Sequence, residues 1–587
     1  MAKGVRKKSK QPGDTRSVAH LGPSANSGWR PFAKPWVVAL SIFAVSFALY
    51  ANTLGHDFVW DDHDLIAGNQ AVRTLDLETI QKIFTQDFWP RMSRGGIYYR
   101  PLVTLSYHID YQLGRGSPTV FHWVNVLFNA ATCAAAFVFV YVLFRSVWFG
   151  LLTALLFTVH PIHTESVAWI AGRTDIFASL WALVSLSFYV VARRRGRVLF
   201  LTASLVAFML AMLAKEIAAC VLLLVVILEF TPCRTLLHPS AKVRPSATAN
   251  REKRSFVNLM LFLGVAVLYM ILRHQTVGSA VSTNSTLPPG ATGHVALPLA
   301  LFAGYIYKVM FPLTLTAEYT VAVPSSLFSL QPLAGMVLAA VILYGAWRFR
   351  RHAEVLLGVA IFLLGLAPVL HLVPIAELSA ERFLYFPSLG FALILGRVFA
   401  SALMARYPGL QRVESPALPR WWRVPRPLAM PLVIVLTVVV ALLAVKTVTR
   451  NTDWKNDEVL FAKTVEQAPD SPRVLVQLGL NAHKKGDLAG AVHSYEKALQ
   501  ISPDYPVAHF NLGLIRLQQG DSGSARAHLQ QAVRGGPDFR AASYHLAVLE
   551  KAAGNTERAK QHAQRFLLLY DRDDPFRREA EAILRGD

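Results

Sequence analysis

Runs of roughly 20 apolar residues recur from Trp36 to about Lys446, and that length lets an α-helix cross the hydrocarbon core of a bilayer. This recurrence narrows the fold more than any other feature, because only helices and closed barrels satisfy their backbone polar groups inside lipid. Composition agrees: 53% of the 587 residues are hydrophobic and 16% are charged, against about 25% charged in ordinary soluble domains. The chain reads as a membrane protein whose composition turns polar after the last run. A net charge of +22 does not point to nucleic acid, because Lys and Arg sit in short runs between apolar segments, where the positive-inside rule accounts for them. Cys133, Cys220 and Cys233 have no repeated spacing and offer neither a disulfide framework nor a metal signature.

Residues 1–35, with Lys3, Arg6, Lys7, Lys8 and Lys10, read as a basic, disordered cytoplasmic tail before an uncleaved signal anchor. From that start, spans are expected at about 36–54, 119–143, a short third one ending at His160, 174–192, 198–213, 217–231, 256–273, 332–347, 353–370, 387–402 and 428–446. Arg193, Arg194, Arg195 and Arg197 anchor one cytoplasmic end, and Arg348, Arg350 and Arg351 another. Parity then leaves 297–316 as an interfacial or re-entrant helix, with Lys308 reaching the headgroups. The expected architecture is all-α: about eleven spans over residues 36–450 with the N-terminus inside, and residues 451–587 outside.

That polar tail is a repeat array. Leu478-Gly479, Leu512-Gly513 and Leu546-Ala547 recur every 34 residues, as do Gly486-Asp487, Gly520-Asp521 and Gly554-Asn555. This is the tetratricopeptide period, which predicts an α-solenoid of antiparallel helix pairs. Pro503 and Pro537 follow second helices. Residues 454–470 read as a leading half-repeat, and 575–585 as a closing helix.

The same topology gathers five polar stretches on the outer face: Asp61-Asp62-His63-Asp64, Tyr98 to Leu102, His160 to Asp175, Lys215-Glu216, and Glu381 to Tyr385. Ionisable residues at span ends are functional candidates because stranding them in hydrocarbon is costly. Arg100, Lys215 and Arg382 suit a phosphate or diphosphate. Asp61 or Asp62 suits a general base, since adjacent carboxylates raise each other's proton affinity. Asp61 is the first choice, with Asp62 as orienting partner or alternative. Tyr99, His160, His163, Glu165, Arg173, Asp175, Glu216 and Glu381 are supporting or substrate-binding candidates. His160 and His163 bracket a proline, and hydrogen bonding explains them better than metal ligation. No metal site is read, and a divalent ion stays open as a requirement. Phe58, Val59 and Trp60 are expected to seat the acidic loop at the membrane interface.

A base, an acceptor hydroxyl and a lipid-phosphate leaving group at the bilayer surface describe glycosyl transfer from a lipid-linked sugar, most simply with inversion. The stretches NTLGHDFVWDDHDLI, YYRPLVTLSYHIDYQLG with FHWVNVLFN, HPIHTESVAWIAGRTDIFA, AKE and ERFLYFPSLGF, followed by the repeats, resemble the transmembrane and tetratricopeptide-repeat protein O-mannosyltransferases, of the GT-C class. The resemblance implies a polyprenyl- or dolichyl-phosphate-sugar donor, an acidic catalytic motif falling on Asp61 and Asp62, and transfer of mannose or another hexose to Ser or Thr of a protein. The acceptor protein or peptide would be bound by the repeats. An Ala-, Leu- and Arg-rich composition points to a bacterial inner-membrane member.

Two other readings stand beside it. A transferase or ligase acting on a glycan or lipid would use comparable acids and bases. A non-catalytic membrane-anchored repeat scaffold would account for the tail, but not for polar residues collected on one side of so many spans.

Overall fold

The computed structural model describes residues 34–89, 98–237, 245–278, 292–372, 375, 377–408, 410, 424–536, 539–570 and 575–586. The basic tail up to residue 33 and Pro537 lie outside the described residues. Among the described residues every regular element is helical.

Eight helices are long and apolar enough to cross a membrane: Pro35–Thr53, Pro118–Phe144, Ile170–Arg195, Glu252–Val277, Gly293–Met310, Leu330–Arg348, Ser388–Arg406 and Arg426–Trp454. A ninth is broken, Val147–Thr158 and Pro161–Ala168 meeting at 56°, because Pro161 has no N–H to continue the ladder. The chain is an integral membrane protein. Ile170–Arg195 is the most enclosed span, 72% buried, whereas Leu330–Arg348 and Arg426–Trp454 are each 11% buried and form the periphery. Two shorter apolar helices, Val198–Ala214 and Ala353–Val369, fall at the lower limit of spanning length.

The expected spans differ from the observed helices at two places. The run at 217–231 forms a 3-10 turn, Glu216–Ala219, and an 11-residue helix, Cys220–Phe230. At 1.5 Å per residue that helix is about half the thickness of the hydrocarbon core. Conversely, Gly293–Met310, expected as an interfacial or re-entrant helix, is long and apolar enough to span and packs into the bundle. Its Leu297, Leu301, Phe302 and Tyr305 share a buried cluster with Phe362, Leu366 and Leu384. A Cβ on Gly335 would sit 2.0 Å from the Leu299 carbonyl oxygen, the close backbone approach that small residues permit between membrane helices. Lys308 does not reach for headgroups: its ammonium donates to Ser379 Oγ at 2.8 Å and lies 3.5 Å from the Tyr319 ring centroid.

The C-terminal solenoid follows the period. Pro472–Lys484 pairs with Leu488–Ile501, Pro506–Gln518 with Ser522–Gly535, and Arg540–Ala552 with Thr556–Leu569. Asp457–Gln467 precedes them and Pro575–Arg585 closes the array. Gly486, Gly520 and Gly554 have φ of 81°, 80° and 75°, which explains why each turn carries glycine. Asp487 and Asp521 cap the following helices by accepting from the N–H of Gly490 and Ser524.

The solenoid is docked on the membrane part. Val59, Leu65 and Ile66 of the first loop, Trp169 and Ile170, and Trp454, Phe461 and Val474 of the C-terminal region share one hydrophobic cluster.

Candidate functional site

The acidic loop is held by contacts distant in sequence. Val59 is fully buried and Trp60 packs on protein, its ring stacked on Trp169 at 5.6 Å, with the Arg473 guanidinium 4.6 Å from its centroid. These residues therefore seat the loop against the solenoid and the third polar stretch instead of the membrane interface. Trp60 has φ of 53°, a left-handed conformation rare for a bulky residue. The turn it makes separates the roles of the next two acids.

Asp62 is fully buried and both its oxygens are engaged: Oδ2 accepts from Val59 N–H at 3.2 Å and Oδ1 from Ala171 N–H at 2.9 Å. It ties the loop to the stretch that follows the broken span. Asp61 is half-buried, and among the described residues no hydrogen bond or ion pair engages its carboxylate. Burial pushes Asp61 up to about 6, moderated by the positive charges of Arg473 and Arg382. Burial likewise pushes Asp62 up to about 7 against the two N–H bonds it accepts. Desolvation outweighs the neighbouring-acid effect expected from the pair of aspartates.

The third stretch reaches this loop through Ala171, and the other stretches are joined to the third and to one another by direct contacts. Tyr107, just beyond the second stretch, donates to Ile170 O at 3.4 Å. Arg100 Nη2 lies 3.5 Å from Glu216 Oε1, joining the second stretch to the fourth. Lys215 Nζ donates to both Asp175 oxygens at 2.7 and 2.8 Å, joining the fourth to the third, and lies 5.5 Å from the Phe383 ring of the fifth. Arg382 bonds Glu165 through its guanidinium and through its backbone N–H at 2.9 Å. Three cations are thus gathered in one region. Burial, together with the charges of Arg100 and Arg382, holds the Lys215 ammonium below the usual lysine range despite Asp175. Burial alone would raise Glu216, yet the charges of Arg100, Lys215 and Arg273 and a hydrogen bond from its own N–H together keep that carboxyl low.

The cations differ in how far they are committed. Arg382 faces Glu165 and, at 3.8 Å, Glu377. Lys215 gives two of its three N–H donors to Asp175. Arg100 lies over Tyr98 at 4.5 Å and Phe88 at 5.4 Å, and its buried Nε–H has no hydrogen-bond partner among the described residues. Of the three it has the most donor capacity left for an anion.

Several candidates turn inward. Arg173 is fully buried, donating to Asn125 Oδ1, Ser106 Oγ and Phe121 O, with Asp110 Oδ2 at 2.5 Å. Just before it, a Cβ on Gly172 would be 2.7 Å from Ser166 Cα, so this turn closes tightly enough to aim Arg173 into the bundle. Glu381 accepts from Tyr319 OH at 2.9 Å and Arg450 at 3.3 Å. Tyr99 OH donates to Phe84 O at 3.0 Å. His160 Nε2 meets Val309 O at 2.9 Å, and His163 Nε2 meets Ser388 Oγ at 2.8 Å. Among the described residues no group of three or more His, Cys, Asp or Glu is arranged around a metal position. Two residues at this site had no signal in the linear reading, Arg473 and Asp457, both from the repeat region, while Trp169 lies inside the third stretch without being one of its candidate residues.

Comparison with known proteins gives two kinds of match. Models described as TPR repeat and tetratricopeptide repeat match residues 479–520 and 510–576. Among curated proteins, the chain is 40% identical over 150 residues to human protein O-mannosyl-transferase TMTC2, covering 25% of this chain and 18% of that protein. It is 27% identical over 520 residues to human TMTC1, covering 79% of this chain and 55% of that protein. It is 25% identical over 516 residues to human TMTC4, with 78% and 66% covered. The resemblance read from the motifs is therefore borne out, and the chain spans between about a fifth and two thirds of the length of these relatives. Among solved structures, the archaeal oligosaccharyltransferase AglB from Archaeoglobus fulgidus aligns at 13% identity and TM-score 0.41, covering 73% of this chain and 56% of that one.

Proposed function

We propose that this chain, similar over most of its length to protein O-mannosyl-transferases, is a membrane glycosyltransferase that moves a hexose from a polyprenyl-phosphate donor to a Ser or Thr hydroxyl of a protein. The observation that carries this reading is the linkage of five separate polar stretches into one connected region that holds three clustered cations and, within the field of Arg382, the Asp61 carboxylate. Residues 36–450 form the catalytic unit and 451–587 the repeat unit that binds the acceptor polypeptide. The N-terminus is cytoplasmic, and the first loop and the repeats face outward from a bacterial inner membrane.

In the proposed reaction the acceptor oxygen attacks the anomeric carbon as the bond from that carbon to the phosphate oxygen breaks. The lipid phosphate leaves with the electron pair, and the hydroxyl proton passes to Asp61. Inversion follows from the single displacement. Arg100, with Lys215 and Arg382 behind it, stabilises charge growing on the phosphate, where fixed donors in a dry site act most strongly.

Because Asp61 must be ionised to accept a proton and its value lies at about 6, transfer should hold steady above neutrality and fall tenfold per unit as pH drops well below 6. A pH–rate profile of kcat/KM checks this. Arg100→Gln should raise the donor KM by about tenfold or more, the loss of a charge-assisted hydrogen bond, with acceptor KM unchanged. Intact-mass spectrometry of envelope proteins with and without the chain tests the whole reading. A missing hexose series supports it, whereas hexose missing only from glycan or lipid would refute the protein acceptor.

A further inference from the structure

The acidic loop is shaped by a residue that belongs to the solenoid. Asp457 opens the helix Asp457–Gln467, and its carboxylate grips the loop on either side of Asp61. Oδ1 accepts from Trp60 N–H at 2.9 Å, and Oδ2 lies 2.8 Å from His63 Nε2. Lys484 Nζ approaches the same Oδ2 at 3.7 Å. One carboxylate therefore fixes residues 60 and 63, and residue 61 is left projecting between two clamped points.

The clamp acts where the backbone most needs it. A tryptophan at φ 53° persists only where surrounding contacts over-determine it, since such conformations cost about 1–3 kcal/mol. Those contacts come largely from the C-terminal region. Phe461 meets the Trp60 ring edge-on at 6.0 Å, and Arg473 covers it at 4.6 Å. Arg473 is itself anchored to Glu377 at 2.9 Å and Glu318 at 3.5 Å. Upstream, Asp57 N–H donates to Lys455 O at 2.9 Å.

We propose that Asp457 is a positioning residue for the base: the leading helix of the repeat unit completes the active site and holds Asp61 in its working orientation, in addition to any acceptor binding by the later repeats. The proposal rests on the glycosyltransferase reading for its catalytic consequence, although the clamp itself is a matter of loop structure.

The experiment uses the full-length protein in detergent or nanodiscs with a polyprenyl-phosphate-hexose donor and a Ser/Thr peptide. Asp457→Ala should lower kcat about 10- to 100-fold with donor KM within about twofold, and should speed amide hydrogen exchange across residues 59–64. Asp457→Asn keeps an oxygen for Trp60 N–H and should recover most of both, which a general loss of folding would not produce. Wild-type kcat and wild-type exchange in Asp457→Ala would overturn the proposal, as would a loss confined to KM. Asp61→Asn is run alongside: full transfer by that variant would sink the assignment of the base, while the exchange data would still decide the clamp.

Discussion

Asp61→Asn is expected to lower kcat by about a hundred- to ten-thousand-fold, the range in which general-base catalysis contributes, with insertion, yield and thermal unfolding unchanged. The side chain is half-buried and, among the described residues, engages no hydrogen-bond or ion-pair partner, so an isosteric amide removes the proton acceptor and little else. Asp62→Asn should behave differently. Its two oxygens accept from Val59 and Ala171 N–H, and an amide leaves one of those donors facing another. The expected result is a faster-unfolding loop together with lower activity. Transfer assays set beside thermal melts separate the two cases. Equal activity loss with equal destabilisation in both variants would sink the division of labour between them.

The second large effect concerns stability. Arg173→Leu should destabilise the protein by about 3–5 kcal/mol, the usual cost of stripping one partner from a buried ion pair. Asp110 would be left charged in the interior, and Asn125 and Ser106 would lose their donor. The measurement is the denaturation midpoint in detergent, or the yield of folded protein. Pairing Arg173→Leu with Asp110→Leu should recover much of the loss, because a buried pair replaced by apolar side chains is often neutral. A single variant as stable as the parent would show that Arg173 is solvated and available to substrate.

Much of this architecture was legible because it is written locally. A run of 20 apolar residues carries its own length criterion, and a 34-residue period identifies the solenoid without its partners. The two misplaced membrane segments show where local information ends. Parity anchored on Arg348 makes residues 297–316 an interfacial or re-entrant helix, whereas what embeds that helix is the absence of a side chain at Gly335 over the Leu299 carbonyl. Residues 217–231 are apolar throughout, but Lys215 is drawn to Asp175 and the chain turns there, leaving a helix of 11 residues.

The site divides in the same way. Ionisable residues at span ends were recognisable one at a time from the cost of burying them. The distinct roles of Asp61 and Asp62 were not, since they depend on an N–H donor 109 positions away. Asp457 and Arg473 carried no signal at all. They lie in stretches whose period reads as repeat scaffold, and only the folded chain shows them against a loop nearly four hundred residues earlier.

The three clustered cations already have carboxylate companions: Glu216 for Arg100, Asp175 for Lys215, and Glu165 with Glu377 for Arg382. On the proposed reading, a lipid phosphate arriving there would exchange for a resident acid and not simply fill a hole of positive charge. The region would then work as an ion exchanger, distinguishing one anion from another by how well its oxygens match the geometry the displaced carboxylate gives up.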